Sequence, residues 1–124
     1  MRVMLSSGKK AELAVAGYLR GKGAIIAKMN YHSRFGEIDI IAETGKTVMF
    51  VEVKFRSENA LFSPREAVDQ NKQRKIILTA KDFLAKSNIP ELVPRFDVAE
   101  VYLEKNEKGE ENYKINYIKN AFEA

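Results

Sequence analysis

The segment Thr47-Val48-Met49-Phe50-Val51-Glu52-Val53-Lys54-Phe55 constrains this chain more than any other. It is apolar on both faces except at Glu52 and Lys54, the pattern of a central strand covered from two sides. Strands of that kind belong to sheets flanked by helices. Two charges inside such a strand need a reason, because side chains of this type are almost never buried unless they are paired.

The flanking segments fit the same class. Ser6 and Ser7 can cap a helix running to about Arg20, with Ala11, Ala14, Val15, Tyr18 and Leu19 at three- and four-residue spacing, and Gly21 and Gly23 ending it. Residues 24–29 read as a strand, 31–36 as a polar connection, 37–43 as a second strand and 44–46 as a turn before the apolar strand. Pro64 opens a second, longer helical stretch with Ile76, Ile77, Ala80, Phe83 and Leu84 as its apolar stripe, ending near Ser87-Asn88 before Pro90. Residues 96–103 and 113–118 read as fourth and fifth strands around a solvated loop at 104–111. The expected class is α/β, a mixed sheet of about five strands with helices on both faces.

A chain of 124 residues suits a single domain spanning 1–124. It has no cysteine and one histidine, which excludes disulfides, thiolate zinc sites, cysteine nucleophiles and sites built on two histidines. Carboxylates are what remains for a metal. The longest apolar stretches, such as Val48-Met49-Phe50-Val51, are four residues long, far short of the roughly 18 that a membrane span needs. The amino terminus has no apolar secretory region, so the expected location is the cytoplasm.

The net charge of +4 is mild, but it is segregated: residues 1–30 carry six basic side chains and one acidic, whereas residues 91–124 carry five basic and eight acidic. Such a separation suits a polyanion-binding chain, although small basic domains are common.

Alternate residues of a strand share a face, so Glu52 and Lys54 point one way, and Glu37 and Asp39 share a face on the preceding strand. If the two strands form a hairpin in which paired residue numbers sum to 91, Asp39 lies opposite Glu52. Like charges facing each other in a half-buried sheet are destabilising unless a proton or a cation lies between them. A one-residue slip would dissolve the pair. Two carboxylates, a backbone carbonyl such as that of Val53, and waters suit Mg²⁺, with Mn²⁺ able to substitute. Lys54 is then placed to orient an attacking water or steady an oxyanion.

The order Glu12, then Gly36-Glu37-Ile38-Asp39-Ile40-Ile41-Ala42, then Phe50-Val51-Glu52-Val53-Lys54-Phe55-Arg56 resembles the YraN-like family. The resemblance continues through Pro64-Arg65-Glu66-Ala67-Val68 with Lys72, Arg95-Phe96-Asp97-Val98 and Asn120-Ala121-Phe122, nearly the whole chain. The family is placed in the PD-(D/E)xK nuclease superfamily, with a restriction-endonuclease-like fold, and is similar to archaeal Holliday junction resolvases. The resemblance implies metal-dependent DNA cleavage, with Asp39 and Glu52 as metal-binding acids, Lys54 as the lysine of the (D/E)xK element and Glu12 as the helix-one acid. Junction-cutting relatives are dimers, which by analogy implies a homodimer. The pattern departs at Ile38, where the superfamily has its proline, at Met29 and His32, where relatives often carry arginine, and at Ser63, where they often carry glycine.

Other charged positions have two readings each. A surface ion pair would explain Glu52 with Lys54. Lys72, Arg74, Lys75, Lys81 and Lys86 are either the wet face of a helix or a phosphate track, with Lys72 the foremost candidate for a DNA contact. Arg56 could hold a phosphate bidentately at the edge of the site. His32 reads as a loop residue, Glu37 as a strand end, and Arg95 with Asp97 as a structural ion pair. The expected function is a Mg²⁺-dependent DNA endonuclease; the rival is a non-catalytic nucleic-acid-binding protein that keeps the nuclease fold.

Overall fold

The computed structural model describes residues 5–56, 68–89 and 91–124. Their elements run α1 (Ser7–Gly21), β1 (Ile25–Ser33), β2 (Gly36–Thr44), β3 (Thr47–Arg56), α2 (Gln70–Lys86), β4 (Val93–Lys105) and β5 (Glu111–Phe122). The five strands form one sheet in sequence order. β1–β2, β2–β3 and β4–β5 are antiparallel, and β3–β4 is parallel. A parallel neighbour needs a crossover, and α2 is part of it.

The sheet is mixed and has a helix on each face, as a restriction-endonuclease-like fold requires. Ala11, Val15, Ala16 and Leu19 of α1 pack on Ile40, Ala42, Met49, Val51, Ala99 and Val101. Ile76 and Ala80 of α2 pack on the opposite face, against Ile38, Ile41, Val48, Phe50, Phe96 and Val98. β3 is therefore buried from both sides, which explains its nearly continuous apolar run.

Local chemistry sets the element ends. Ser6 caps α1 by accepting from the Lys9 N–H. At the other end the Gly23 and Ala24 N–H groups donate to the Arg20 and Leu19 carbonyls, with Gly23 at φ +93°, a Schellman closure that favours glycine. Gly45, at φ +58°, makes the two-residue turn between β2 and β3.

Several boundaries differ from the sequence reading. β1 continues through Ser33, so the expected connection at 31–36 shrinks to Arg34-Phe35. It stays paired because Tyr31 packs over α2, its ring edge-on to Phe83 and its hydroxyl donating to Asp82 at 2.6 Å. β4 and β5 pair out to Lys105↔Glu111, since backbone hydrogen bonding carries an exposed ribbon without an apolar pattern. α2 begins at Gln70, capped by Asp69, rather than at Pro64. Ser63, Pro64–Ala67, Pro90 and the first four residues lie outside the described residues. Among the described residues no helix is long and apolar enough to cross a membrane.

Candidate metal and nucleic-acid site

The β2–β3 pairing runs from Thr44↔Thr47 to Ile40↔Val51, with every pair summing to 91. This is the register expected from the sequence, and its next step would set Asp39 opposite Glu52. The ladder ends there instead, and the Asp39 side chain takes over. Its Oδ2 accepts the Val53 N–H at 2.8 Å, satisfying a backbone donor that would otherwise lose its strand partner.

Strand alternation also breaks at this point. Ile40 belongs to the core under α1, whereas Ile38, two residues away, belongs to the core under α2. On β1 the same switch occurs between Met29 and Tyr31, with Asn30 between them at φ +50°, a conformation that asparagine tolerates better than most residues. The expectation that Glu37 and Asp39 share a face assumed unbroken alternation and does not hold in that simple form. Glu37 is half exposed and lies 3.4 Å from the imidazole of His32. His32 is a β1 residue, not a loop residue.

Asp39 lies at this switch of faces, where charges on both α1 and α2 act on it. Burial and the negative charge of Glu52 raise its pKa to about 7; the Val53 N–H opposes the shift, Glu12 adds to it, and Lys72 opposes it. Glu52 is buried, with 6% of its side chain exposed, and its Oε1 lies 3.2 Å from Lys72 Nζ and 3.8 Å from Lys54 Nζ. Burial pulls the Lys72 pKa down, but the charge and hydrogen bond of Glu52, with the charges of Asp39 and Glu37, outweigh it and leave the pKa raised. Lys72 sits in the first turn of α2, where its N–H donates to the Asp69 cap at 2.8 Å. Helical side chains lean toward the N-terminus, which aims this one at β3.

Glu12, on α1, accepts from Asn30 Nδ2 at 3.0 Å and pairs with Lys9 Nζ at 3.4 Å. Lys9 also donates to Asn30 Oδ1. Asn30 and Lys9 were not anticipated from the sequence; an asparagine next to a strand break is the one signal that could have found them.

Arg56 pairs with an acid of β4. Its side chain is 14% exposed, and its Nε lies 3.7 Å from Oε2 of the fully buried Glu100, whose Oε1 accepts from Asn116 at 2.9 Å. Lys54 stands beside Glu100 in the parallel register of β3 and β4.

The fold thus brings together Asp39, Glu52, Lys54, Lys72 and the backbone of Val53, with Glu12 on α1 close enough for its charge to act on Asp39. Among the described residues no three histidine or acidic side chains are grouped closely enough to hold a metal as they stand. The donor set still fits a hard cation: two carboxylates, one raised in pKa by burial and by the charge of the other, are the like-charge pair that a divalent ion relieves. Lys72 supplies the opposing charge in the present arrangement. A larger cavity, of about 500 Å³, runs along the β4–β5 hairpin and includes neither acid.

The model described as Uncharacterised protein family UPF0102 matches residues 11–101. A UPF0102 protein of Desulforapulum autotrophicum is 42% identical over 117 residues, covering 94% of this chain and 93% of the relative. One from Caldanaerobacter subterraneus is 43% identical over 115 residues, 93% of both chains. Another, from Alkaliphilus oremlandii, is 44% identical over 117 residues, covering 93% of this chain and 96% of its own.

Proposed function

This chain belongs to the UPF0102, or YraN, family, and on that premise we propose that it is a metal-dependent endonuclease hydrolysing phosphodiester bonds in DNA, with branched repair or recombination intermediates as the substrate class. One observation carries the reading: Asp39 and Glu52 converge where β2 and β3 part, with two lysines on Glu52. A buried acidic pair in which Asp39 is raised in pKa and Glu52 is flanked by two ammonium groups is what phosphate chemistry needs.

Asp39, Glu52 and the Val53 carbonyl would hold Mg²⁺ or Mn²⁺, with Glu12 in support. Bound there, the ion would lower the pKa of a water and neutralise phosphate charge. The Val53 N–H holds the Asp39 carboxylate in place. Lys54 orients the attacking water or steadies the charge that develops on phosphate oxygens. Lys72, released from Glu52, becomes a cation for the DNA backbone. A homodimer would present two such sites to two strands.

The rival reading is a nucleic-acid-binding protein that does not cleave. It is favoured by the Lys72–Glu52 ion pair, which neutralises the buried acid without a metal. Labelled duplex, single-stranded, flap and four-way-junction DNA, incubated with wild type and Lys54→Ala in Mg²⁺, Mn²⁺ and EDTA, separates the two. Metal-dependent cutting that Lys54→Ala loses is the expected result. Salt-sensitive binding without cutting would favour the rival.

A further inference from the structure

At the other end of α1, roughly 15 Å along the helix from Glu12 to Lys22, lies a cavity of about 260 Å³ between α1, the β2–β3 hairpin and β5. Its walls include Tyr18, Lys22, Thr44, Arg95, Tyr117 and Lys119, and no carboxylate lines it among the described residues. Tyr18 and Tyr117 stack with centroids 5.5 Å apart, and Lys22 Nζ lies 5.6 Å from the Tyr18 centroid.

One buried residue organises much of this wall. Asp97 is fully buried. It accepts Arg95 Nε and Nη2 at 2.9 Å each, the Tyr117 hydroxyl at 2.5 Å and the Asn120 N–H at 2.9 Å. The Asn120 contact pins a bulge: the β4–β5 register steps from Val98↔Ile118 to Phe96↔Phe122, so Asp97 alone spans residues 119–121. Asn120 sits at φ +55° within it. Bulges bend a strand and re-aim its side chains, and this one carries Lys119. A sheet that needed only stability would do as well with an apolar residue in place of a buried ion pair. Here the carboxylate fixes Arg95, Tyr117 and the strand segment bearing Lys119.

We propose that this cavity binds the phosphate of a nucleotide, with Lys22, Arg95 and Lys119 facing the anion and the tyrosine pair forming a flat wall for the nucleoside. The volume falls just below the roughly 300 Å³ at which ligand pockets begin, which suits a phosphate with part of one nucleoside. The site is independent of Asp39 and Glu52 and of the activity proposed for them. The phosphate can come from a free mononucleotide or from the 5′ end of a strand.

The test is a chemical-shift titration of the full chain with inorganic phosphate, 2′-deoxyadenosine 5′-monophosphate and a 5′-phosphorylated pentathymidylate, repeated with Lys22→Ala, Lys119→Ala and the control Lys105→Ala. Saturable shifts at Lys22, Tyr117 and Lys119, weakened about fivefold or more by either cavity variant and unchanged in the control, are expected. Saturation by the free nucleotide identifies that source, and saturation by the oligonucleotide alone identifies a strand end. Lys22 and Lys119 are exposed, so both variants leave the fold intact. Absence of saturable shifts with all three probes, or shifts confined to the face bearing Lys54 and Lys72, would overturn the proposal.

Discussion

Lys72 reaches from the first turn of α2 to within 3.2 Å of Glu52 Oε1, nearer than Lys54, which shares a strand with that acid and stands 3.8 Å away. The buried acid is therefore neutralised chiefly across the crossover, by a residue twenty positions along the chain. Lys72 and a divalent cation would compete for the same carboxylate.

Removing Lys72 should help metal binding. Lys72→Ala is expected to tighten Mn²⁺ binding, measured calorimetrically, by up to about tenfold, ~1.4 kcal/mol, while weakening DNA affinity and lowering the salt slope by about one. Weaker Mn²⁺ binding would show that Lys72 supports the ion rather than replacing it.

Asp39 makes metal-free stability fall as pH rises. Its pKa is raised to about 7 in the folded chain, against an unfolded value near 4. Between those values the native state holds a proton that the unfolded state has released, so the contribution of Asp39 to stability is full below about pH 4 and is lost as pH climbs through 7. Thermal melts of wild type should show that decline, and Asp39→Asn should flatten it. Mg²⁺ should raise the wild-type Tm more at pH 8 than at pH 5, since it needs the ionised pair.

The central strand, the hairpin register and the two helical layers were legible because a strand buried on both faces is apolar throughout, from Val48 to Val51, while Ile76 and Ala80 recur at helical spacing. The pairing sum of 91 follows from the Gly45-Lys46 turn and by itself directs Asp39 toward Glu52. The switch of faces at Asp39 was not legible, because Ile38 and Ile40 are both apolar whichever core they enter. Lys72 and Arg56 were also opaque in sequence: a basic residue reads the same whether it meets a phosphate or a buried glutamate. The ends of β4 and β5 were missed because their pairing is carried by backbone groups.

Arg56 pairs with a buried acid. With Glu100 wholly buried against it, Arg56→Ala should cost about 3 kcal/mol in urea unfolding, because it strands a buried carboxylate. DNA affinity measured well below the transition should change less than twofold. A large affinity loss with unchanged stability would instead support the phosphate-clamp role.

Asp97 is a structural hub. Arg95 holds it bidentately, and burial together with hydrogen bonding to this carboxylate raises the Tyr117 pKa. Asp97→Ala should cost about 3–5 kcal/mol, since it leaves Arg95 without its carboxylate and frees the bulge. Denaturant unfolding checks it, and a cost below about 1 kcal/mol would contradict the hub assignment.

The central claim is that Glu52 serves metal-dependent DNA cleavage, and single-turnover cutting of a labelled four-way junction in Mg²⁺ by wild type and Glu52→Gln tests it most directly, with gel shifts on the same junction alongside. Glu52→Gln keeps the shape of the side chain and removes its charge, so the account predicts that cleavage is abolished while junction affinity stays within a few-fold of wild type. Cleavage by Glu52→Gln at the wild-type rate would contradict it.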